Sequence, residues 1–248
     1  FIESGLEIPK SMECFPFYRI EKNTLYVSNF SNFNNKPKSK LKPIVLPENA
    51  MRFHLERQTL KPVFENRSAS LFTIDDDIRL IEFHSKANTL DASTMEIYEQ
   101  SIANCVDNEK GLIVYNEDMN FSAGVNLNLF YEHAQKKDWN KIEKLLNKFQ
   151  NVCSFAKHSS IPVVTVPFGL AIGGGFEVVI QSNKRVAHAN CILGLVESLV
   201  GLVPAGGGCK EMLWTLSQTP EGRNNAHYAP LKVFETIGYA MTSASPLE

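Results

Sequence analysis

Glycine and proline divide this chain more sharply than any other feature. Nine of its 14 glycines fall between Gly169 and Gly208, and six of its 12 prolines between Pro9 and Pro62. Prolines at that spacing remove backbone donors and interrupt regular elements, so residues 1–70 read as a linker or wrapping arm. Lys36, Lys38, Lys40 and Lys42 alternate inside it, the pattern of a solvated linker face rather than an anion site. Clustered glycines let backbone approach backbone, or a ligand, more closely than any residue with a Cβ allows. The length suits one large domain, or a domain with an appendage.

From residue 71 onward the pattern is globular. Hydrophobic residues make up 44% of the chain and charged residues 21%, enough for a core and too apolar for wholesale disorder. Leu71 to Ile74 and Ile78 to Phe83 are short β-rich runs around Asp75-Asp76-Asp77, which predicts a hairpin. Ser93 and Glu96 form a capping-box pattern ahead of Met95, Tyr98, Ile102 and Cys105 at helical spacing. Gly111 to Tyr115 and Val163 to Val166 predict buried strands. A long amphipathic helix is predicted from Trp139, with Ile142, Leu145, Leu146, Phe149, Val152 and Cys153 on one face. Gly175 to Gln181 opens another helix, Arg185 to His188 a strand, and further helices are predicted near Lys210 and Lys232. Strands alternating with helices predict an α/β fold.

Composition also excludes. With 25 basic and 27 acidic side chains, the charge of -2 argues against a nucleic-acid binder. No apolar run reaches the ~18 residues of a membrane span. Five cysteines, the closest pair 18 apart, match neither a zinc site nor a disulfide framework, so reduced thiols and a cytoplasmic location are expected. Asn29, Asn66 and Asn120 begin Asn-x-Ser triplets that mean little without a secretory context. The chain begins at Phe1 rather than Met, and a fragment of a longer protein is expected.

The glycine-rich stretch fails the dinucleotide and phosphate-loop patterns and contains no Gly-x-Ser-x-Gly elbow. The histidines are scattered and form no metal motif. What remains is backbone and carboxylate. Phe121-Ser-Ala-Gly-Val125 follows a strand and a loop, and Ala171-Ile-Gly-Gly-Gly-Phe-Glu177 follows another strand and opens a helix. Amides at a helix N-terminus point outward with partial positive charge. Two such turns face to face can hold one carbonyl oxygen, as an oxyanion hole; the alternative is two tight turns and no ligand. Glu177 sits in a first helical turn, where an acidic residue can simply complement the dipole. Glu197 lies in an apolar run and needs a reason to be there, either pairing with a base such as Arg185 or acting as a functional acid of raised pKa.

These residues carry a resemblance. FSAGV (121–125), PFGLAIGGGFE (167–177) and LGLVESLVGLVPAGGG (193–208), in that order and spacing, resemble the enoyl-CoA hydratase (crotonase) family over about residues 71 to 245. The resemblance implies a crotonase-like repeated ββα superhelix behind a proline-containing N-terminal arm. It implies backbone amides of Val125 and Gly174 on the thioester oxygen, Glu177 and Glu197 as catalytic carboxyls, and CoA contacts at Lys86, Ala87, Ala123 and Gly124. No metal is implied. Phe83-His-Ser-Lys-Ala-Asn88, Asn126, Val166-Pro-Phe-Gly169 and Pro204-Ala-Gly-Gly-Gly-Cys-Lys-Glu-Met212 resemble a subgroup whose hydratase domain follows an NAD-dependent 3-hydroxyacyl-CoA dehydrogenase. On that footing residues 1–70 follow a missing dehydrogenase part, residues 71–248 are the crotonase-like domain without its C-terminal helices, and Thr219 to Ala229 is an insertion.

The implied activity is syn addition of water to a trans-2-enoyl-CoA, giving 3-hydroxyacyl-CoA in fatty-acid β-oxidation. The expected partner is an acyl-CoA thioester, with no cofactor in this chain and NAD confined to the dehydrogenase part. Glu177 is expected as the anionic base and Glu197 as the acid, with the roles open to sharing. The alternatives are an enoyl-CoA isomerase and a CoA-binding module inactive as a fragment. A homo-oligomer weakened by truncation is expected, leaving Leu231, Val233, Phe234 and Ile237 exposed.

Overall fold

The computed structural model describes residues 18–21, 24–27, 42–43 and 53–243, apart from 76, 106–110 and 117–118. It divides into two compact units, Phe1–Lys61 and Pro62–Glu248. In the first, β1 (Tyr18–Glu21) and β2 (Thr24–Val27) pair antiparallel, and β2 pairs antiparallel with β3 (Lys42–Pro43). A single helical turn, α1 (Phe53–Glu56), follows. Lys36, Lys38 and Lys40 lie outside the described residues.

The expected arm over residues 1–70 is corrected in two ways. It carries a small sheet of its own, and residues 62–70 belong to the second unit. There β4 (Phe64–Glu65) pairs antiparallel with β5 (Ala69–Asp75). The reason is the turn between them. Asn66 Oδ1 accepts from the backbone N–H groups of Ser68 and Ala69, which folds the chain back on itself.

The second unit is a stack of turns. In the first turn, β6 (Ile78–Phe83) pairs antiparallel with β5, as the Asp75–Asp77 hairpin predicts. The chain passes through Leu90 into α2 (Ala92–Cys105). In the second, β7 (Gly111–Val114) lies parallel to β6, and residues 122–125 lead to α3 (Leu127–Gln135) and α4 (Trp139–Lys157). In the third, β8 (Val163–Thr165) lies parallel to β7, and β9 (Leu170–Ile172) leads to α5 (Gly174–Ile180). In the fourth, β10 (Lys184–Arg185) lies parallel to β8, and β11 (Ile192–Gly194) leads to a 3-10 turn at Glu197–Val200 and α6 (Gly208–Ser217). A six-stranded sheet in the order β10-β8-β7-β6-β5-β4 runs down one side. The second line is also parallel: Leu90 bridges Val125, Ser122 bridges Ala171, and β9 pairs β11. Each turn thus supplies one strand to each line and then a helix, the repeated ββα arrangement expected.

The apolar runs explain this order. Leu71, Ile81, Leu112, Val114 and Val163 are fully buried between the sheet and the helices, with Tyr98 and Ile102 of α2 against them. The predicted face of α4 is buried at Phe149, Val152 and Cys153. Two local expectations shift. The capping box at Ser93 and Glu96 gives way to Asp91, whose Oδ1 accepts from Thr94 N at 2.8 Å and from the Thr94 hydroxyl at 3.1 Å, so Ser93 is already inside the helix. The strand expected at Arg185 to His188 is the shorter Lys184–Arg185.

The stretch from Thr219 to Ala229 forms α7 (Pro220–Asn224), capped by Thr219 Oγ1, and then enters α8 (Tyr228–Gly238). On α8, Leu231 and Phe234 are exposed as expected, but Val233 is buried and Ile237 half-buried.

Glu211 of α6 is 4% exposed and meets Lys157 of α4 at 2.6 Å and Lys210 at 3.0 Å. Burial pushes its carboxyl up, and the two lysines outweigh burial and hold it below the usual value. A depressed acid stabilises the fold above its unfolded pKa and ceases to as pH falls through the folded one. Lys157→Met is expected to cost about 1.5–3 kcal/mol at pH 7, the scale of a charged hydrogen bond, with the loss shrinking below pH 4.5. Chemical denaturation at both pH values checks this, and an equal loss at both would contradict it.

Candidate functional site

Residues 122–125 and the start of α5 come from successive turns of the stack and lie side by side. The Ser122 hydroxyl donates to Asn88 O at 2.7 Å and accepts from Gly124 N at 3.1 Å. Leu90 N donates to Gly124 O, and Asn126 N donates to Leu90 O. This parallel pairing passes over Val125, whose own N–H faces the other way. Gly173 caps α5 with a φ of 53°, in the region that favours glycine. Gly174 is then the first helical residue, where an N–H has no partner within the helix. Among the described residues neither the Val125 nor the Gly174 amide is bonded to another group.

The two amides adjoin because α5 approaches without side chains in the way. A Cβ built on Gly174 would lie 2.5 Å from Val125 Cγ2 and 3.3 Å from Val125 N. One built on Gly175 would lie 2.7 Å from Ser122 Cβ. Larger residues at either position would push the helix off the neighbouring turn.

The two expected carboxylates also meet here. Glu177, in the first turn of α5, is 2% exposed. Its Oε1 accepts from Gly206 N at 2.8 Å and from Gly208 N at 2.9 Å. Phe149 and Leu195 crowd the same glycines. Glu197 opens the 3-10 turn, half-buried, with Oε1 beside Gly173. Its Oε2 is buried with no hydrogen-bond partner among the described residues. The Cys209 thiol is pushed up by burial and then by both carboxylates, so both act on the first turn of α6.

Electrostatics corrects the expectation that the helix N-terminus keeps Glu177 an ordinary anion. Burial pushes its carboxyl up to about 7. The Gly208 amide opposes the rise, the Glu197 charge adds to it, and the Gly206 amide opposes it again. Desolvation wins over the amides because water is excluded around the group. Glu197 is also raised by burial, with the Glu197 and Val196 amides pulling it down. Of the two readings open for Glu197, pairing with Arg185 does not occur: Arg185 Nη1 donates to Ile180 O at 3.0 Å.

Lys86, Ala87, Ala123 and Gly124 are brought to one rim. Lys86–Asn88 is a 3-10 turn with Ala87 and Asn88 at φ 55° and 50°. Ala123 N donates to Ala87 O at 3.2 Å, and Lys86 and Ala87 are exposed. Asn88, which sequence reasoning did not single out as a support, is buried and donates from Nδ2 to Asn120 O at 2.8 Å. An asparagine tolerates the left-handed region better than most residues, and that was its only signal. The amides of Gly206 and Gly208 were missed as partners of Glu177 as well, since a glycine run does not say which carboxylate it grips.

Two free amides beside two raised carboxyls can stabilise charge on a carbonyl oxygen and move a proton near it. Among the described residues no group of three His, Cys, Asp or Glu is placed to hold a metal ion. Nor is any described helix long and apolar enough to cross a membrane.

Comparison with known proteins bears on this arrangement. The family model "Enoyl-CoA hydratase/isomerase" matches residues 73–226. The chain is similar to the "Probable 3-hydroxyacyl-CoA dehydrogenase" of Bacillus subtilis (strain 168), 35% identical over 203 residues, covering 81% of this chain and 25% of that one. It is also similar to the "Fatty acid oxidation complex subunit alpha" of Psychrobacter sp. (strain PRwf-1), 28% identical over 151 residues, covering 59% and 21%. The chain therefore spans about a quarter or less of the length of these relatives. Among solved structures, the enoyl-CoA hydratase from Bacillus anthracis superposes with a TM-score of 0.60 at 19% identity, covering 73% of this chain and 66% of that one. The enoyl-CoA hydratase from Thermoplasma volcanium GSS1 gives 0.58 at 19%, covering 73% and 68%. At that identity the likeness establishes the fold.

The raised carboxyl has a consequence for stability. An acid whose native pKa exceeds its unfolded value favours the fold at low pH, and that contribution is lost as pH rises from 4.5 to about 7. Glu177→Gln keeps an acceptor for both glycine amides and cannot ionise. It is expected to be more stable than the parent at pH 8 by roughly 1–3 kcal/mol, with the difference fading toward pH 5. Thermal melts across that range check the sign, and a variant less stable than the parent at pH 8 would sink the idea.

Proposed function

The chain belongs to the enoyl-CoA hydratase/isomerase family, and we propose that its site adds water in the syn sense to a trans-2-enoyl-CoA, giving 3-hydroxyacyl-CoA in fatty-acid β-oxidation. The observation that carries this reading is the convergence of two unpartnered amides, Val125 and Gly174, with two desolvated carboxyls, Glu177 and Glu197. An isomerase shift needs one group to carry a proton between carbons. Hydration needs a water held over C3 and a proton delivered to C2, which suits a pair.

In this reading the thioester oxygen lies between the Val125 and Gly174 N–H groups. The CoA chain runs past Ala123 and Gly124 toward Lys86 and Ala87. Attack of water at C3 moves electron density through the conjugated system onto the thioester oxygen. The amides therefore bind the enolate-like transition state more tightly than the substrate. The carboxyl pair carries one proton in total: the ionised member orients the water, the neutral member supplies the proton at C2, and the proton lost by water restores the pair. Because the two carboxyls are coupled, their titrations belong to the pair. The rise at Glu177 supports sharing of the roles, which the sequence left open beside Glu177 as the base and Glu197 as the acid.

The hydration itself draws on no cofactor. The name and length of the B. subtilis relative support placing this chain in a longer protein that also carries an NAD-dependent 3-hydroxyacyl-CoA dehydrogenase. Among the described residues Cys105, Cys153, Cys191 and Cys209 form no disulfide, which fits a reducing compartment, and we assign the reaction to the cytoplasm.

A crotonyl-CoA hydration assay tests this. Glu177→Gln and Glu197→Gln are each expected to lower kcat by ~100- to 10,000-fold, and the double variant by little more. Gly174→Ala brings a methyl against Val125 and is expected to lose ~100- to 1000-fold. A protein that shifts 3-enoyl-CoA to 2-enoyl-CoA but does not hydrate crotonyl-CoA would overturn the reading in favour of the isomerase.

A further inference from the structure

We propose that Gln181 is a positioning residue for Glu177, acting by holding the Pro204–Gly208 loop so that its amides stay on one carboxylate oxygen. Gln181 is 1% exposed, at the C-terminal end of α5. A buried side-chain amide is costly unless its polar atoms are bonded. Gln181 Nε2 donates twice, to Glu177 O at 3.1 Å and to Gly206 O at 2.9 Å. The first bond is local to the helix. The second reaches 25 residues along the chain to the loop.

The peptide that Gln181 grips is the central one of three. Gly206 O belongs to the peptide between Gly206 and Gly207. The peptides on either side supply the Gly206 and Gly208 N–H groups that point at Glu177 Oε1. Gly207 sits at φ 113°, and a Cβ there would lie 2.9 Å from Gln181 Oε1. The loop thus bends over the glutamine with no room for a side chain. A second glutamine, Gln150 of α4, donates to Ala205 O at 2.5 Å. Carbonyls 205 and 206 are held from outside while amides 206 and 208 hold the carboxylate from inside. With Oε1 fixed by two donors, Oε2 is left to work.

Without Gln181, Gly206 O needs another donor and the loop is free to rotate its amides off Glu177. Those amides oppose the rise in the proton affinity of Glu177, so their loss raises it further. The titratable groups that act on Glu177 or its surroundings are Glu197 from the 3-10 turn, Cys153 from α4, and Cys209 and Lys210 from α6. Replacing Gln181, a neutral side chain, removes no charge from this set.

This inference rests on the hydratase reading for its kinetic arm alone. The variant is Gln181→Met, of similar length and without donors. Infrared difference spectra across pH follow the Glu177 carboxyl band, identified by its loss in Glu177→Gln. The band's titration is expected to move to higher pH by about half a pH unit or more. The kcat for crotonyl-CoA is expected to fall ~10- to 100-fold, the cost of a misplaced catalytic group, with KM changed by less than about twofold because the Val125 and Gly174 amides are untouched. If Gln181→Met does not fold, Gln181→Asn stays polar but is one methylene too short to reach Gly206 O, and the same shift is expected. A folded variant with an unmoved Glu177 titration overturns the proposal. If the parent protein fails to hydrate crotonyl-CoA, the hydratase reading falls, and the infrared titration still decides the role of Gln181.

Discussion

The close approach of α5 to residues 122–125 is the contact on which the rest depends. Gly174 and Gly175 bring helix backbone against the strand of the preceding turn, where a Cβ at either position would collide with Val125 or Ser122. That contact sets the two free amides next to each other. It also fixes the direction of α5, and with it the place of Glu177 and Gln181 along one helix. The sheet and the outer helices supply the rigidity against which the approach is held. Leu112, Val114 and Val163 are buried to zero exposure behind it, and interiors packed that tightly do not yield gradually.

Glu177 shows how function is set against stability. A carboxyl in this position is desolvated, faces a second carboxyl, and is only partly compensated by two amides. Burial and the second carboxyl raise its proton affinity, and the two amides oppose them only in part. The buried and unpartnered Oε2 of Glu197 belongs to the same account. Glu211 differs: it has Lys157 and Lys210 within ion-pair distance. The contrast between Glu211 and the pair at the site is a physical reason to read the latter as functional.

The sequence showed the repeat of strands and helices because its apolar runs are short, and glycines, loops and helical faces separate them. The α4 face and the Asp75–Asp77 hairpin followed directly from spacing. Val125, Gly174, Glu177 and Glu197 were legible through three motifs in register. What spacing did not carry was long-range partnership. Nothing in Gly206 or Gly208 names Glu177 as the acceptor, and nothing around Gln181 says that its amide reaches a loop 25 residues away. The state of Glu177 was misjudged for a related reason. The helix terminus is visible in sequence, whereas the depth of burial that outweighs it is a property of the packed whole. The boundary near residue 70 was misplaced because an asparagine turn at Asn66 tied two further strand residues into the sheet.

The stacking of turns also has a bearing on the order of folding. Val125 and Gly174 belong to different turns, and the bonds from Gly206 and Gly208 to Glu177 close loops of 29 and 31 residues. Contacts of that span form only after the entropy of closing the intervening chain has been lost. The hairpin of β5 and β6 and the capped start of α2 need no such closure. A nascent chain can therefore hold most of its first turn before any part of the site exists. The same separation works in reverse under mild destabilisation: the loop over Glu177 can open while the sheet remains, so activity would be lost before the bulk of the fold.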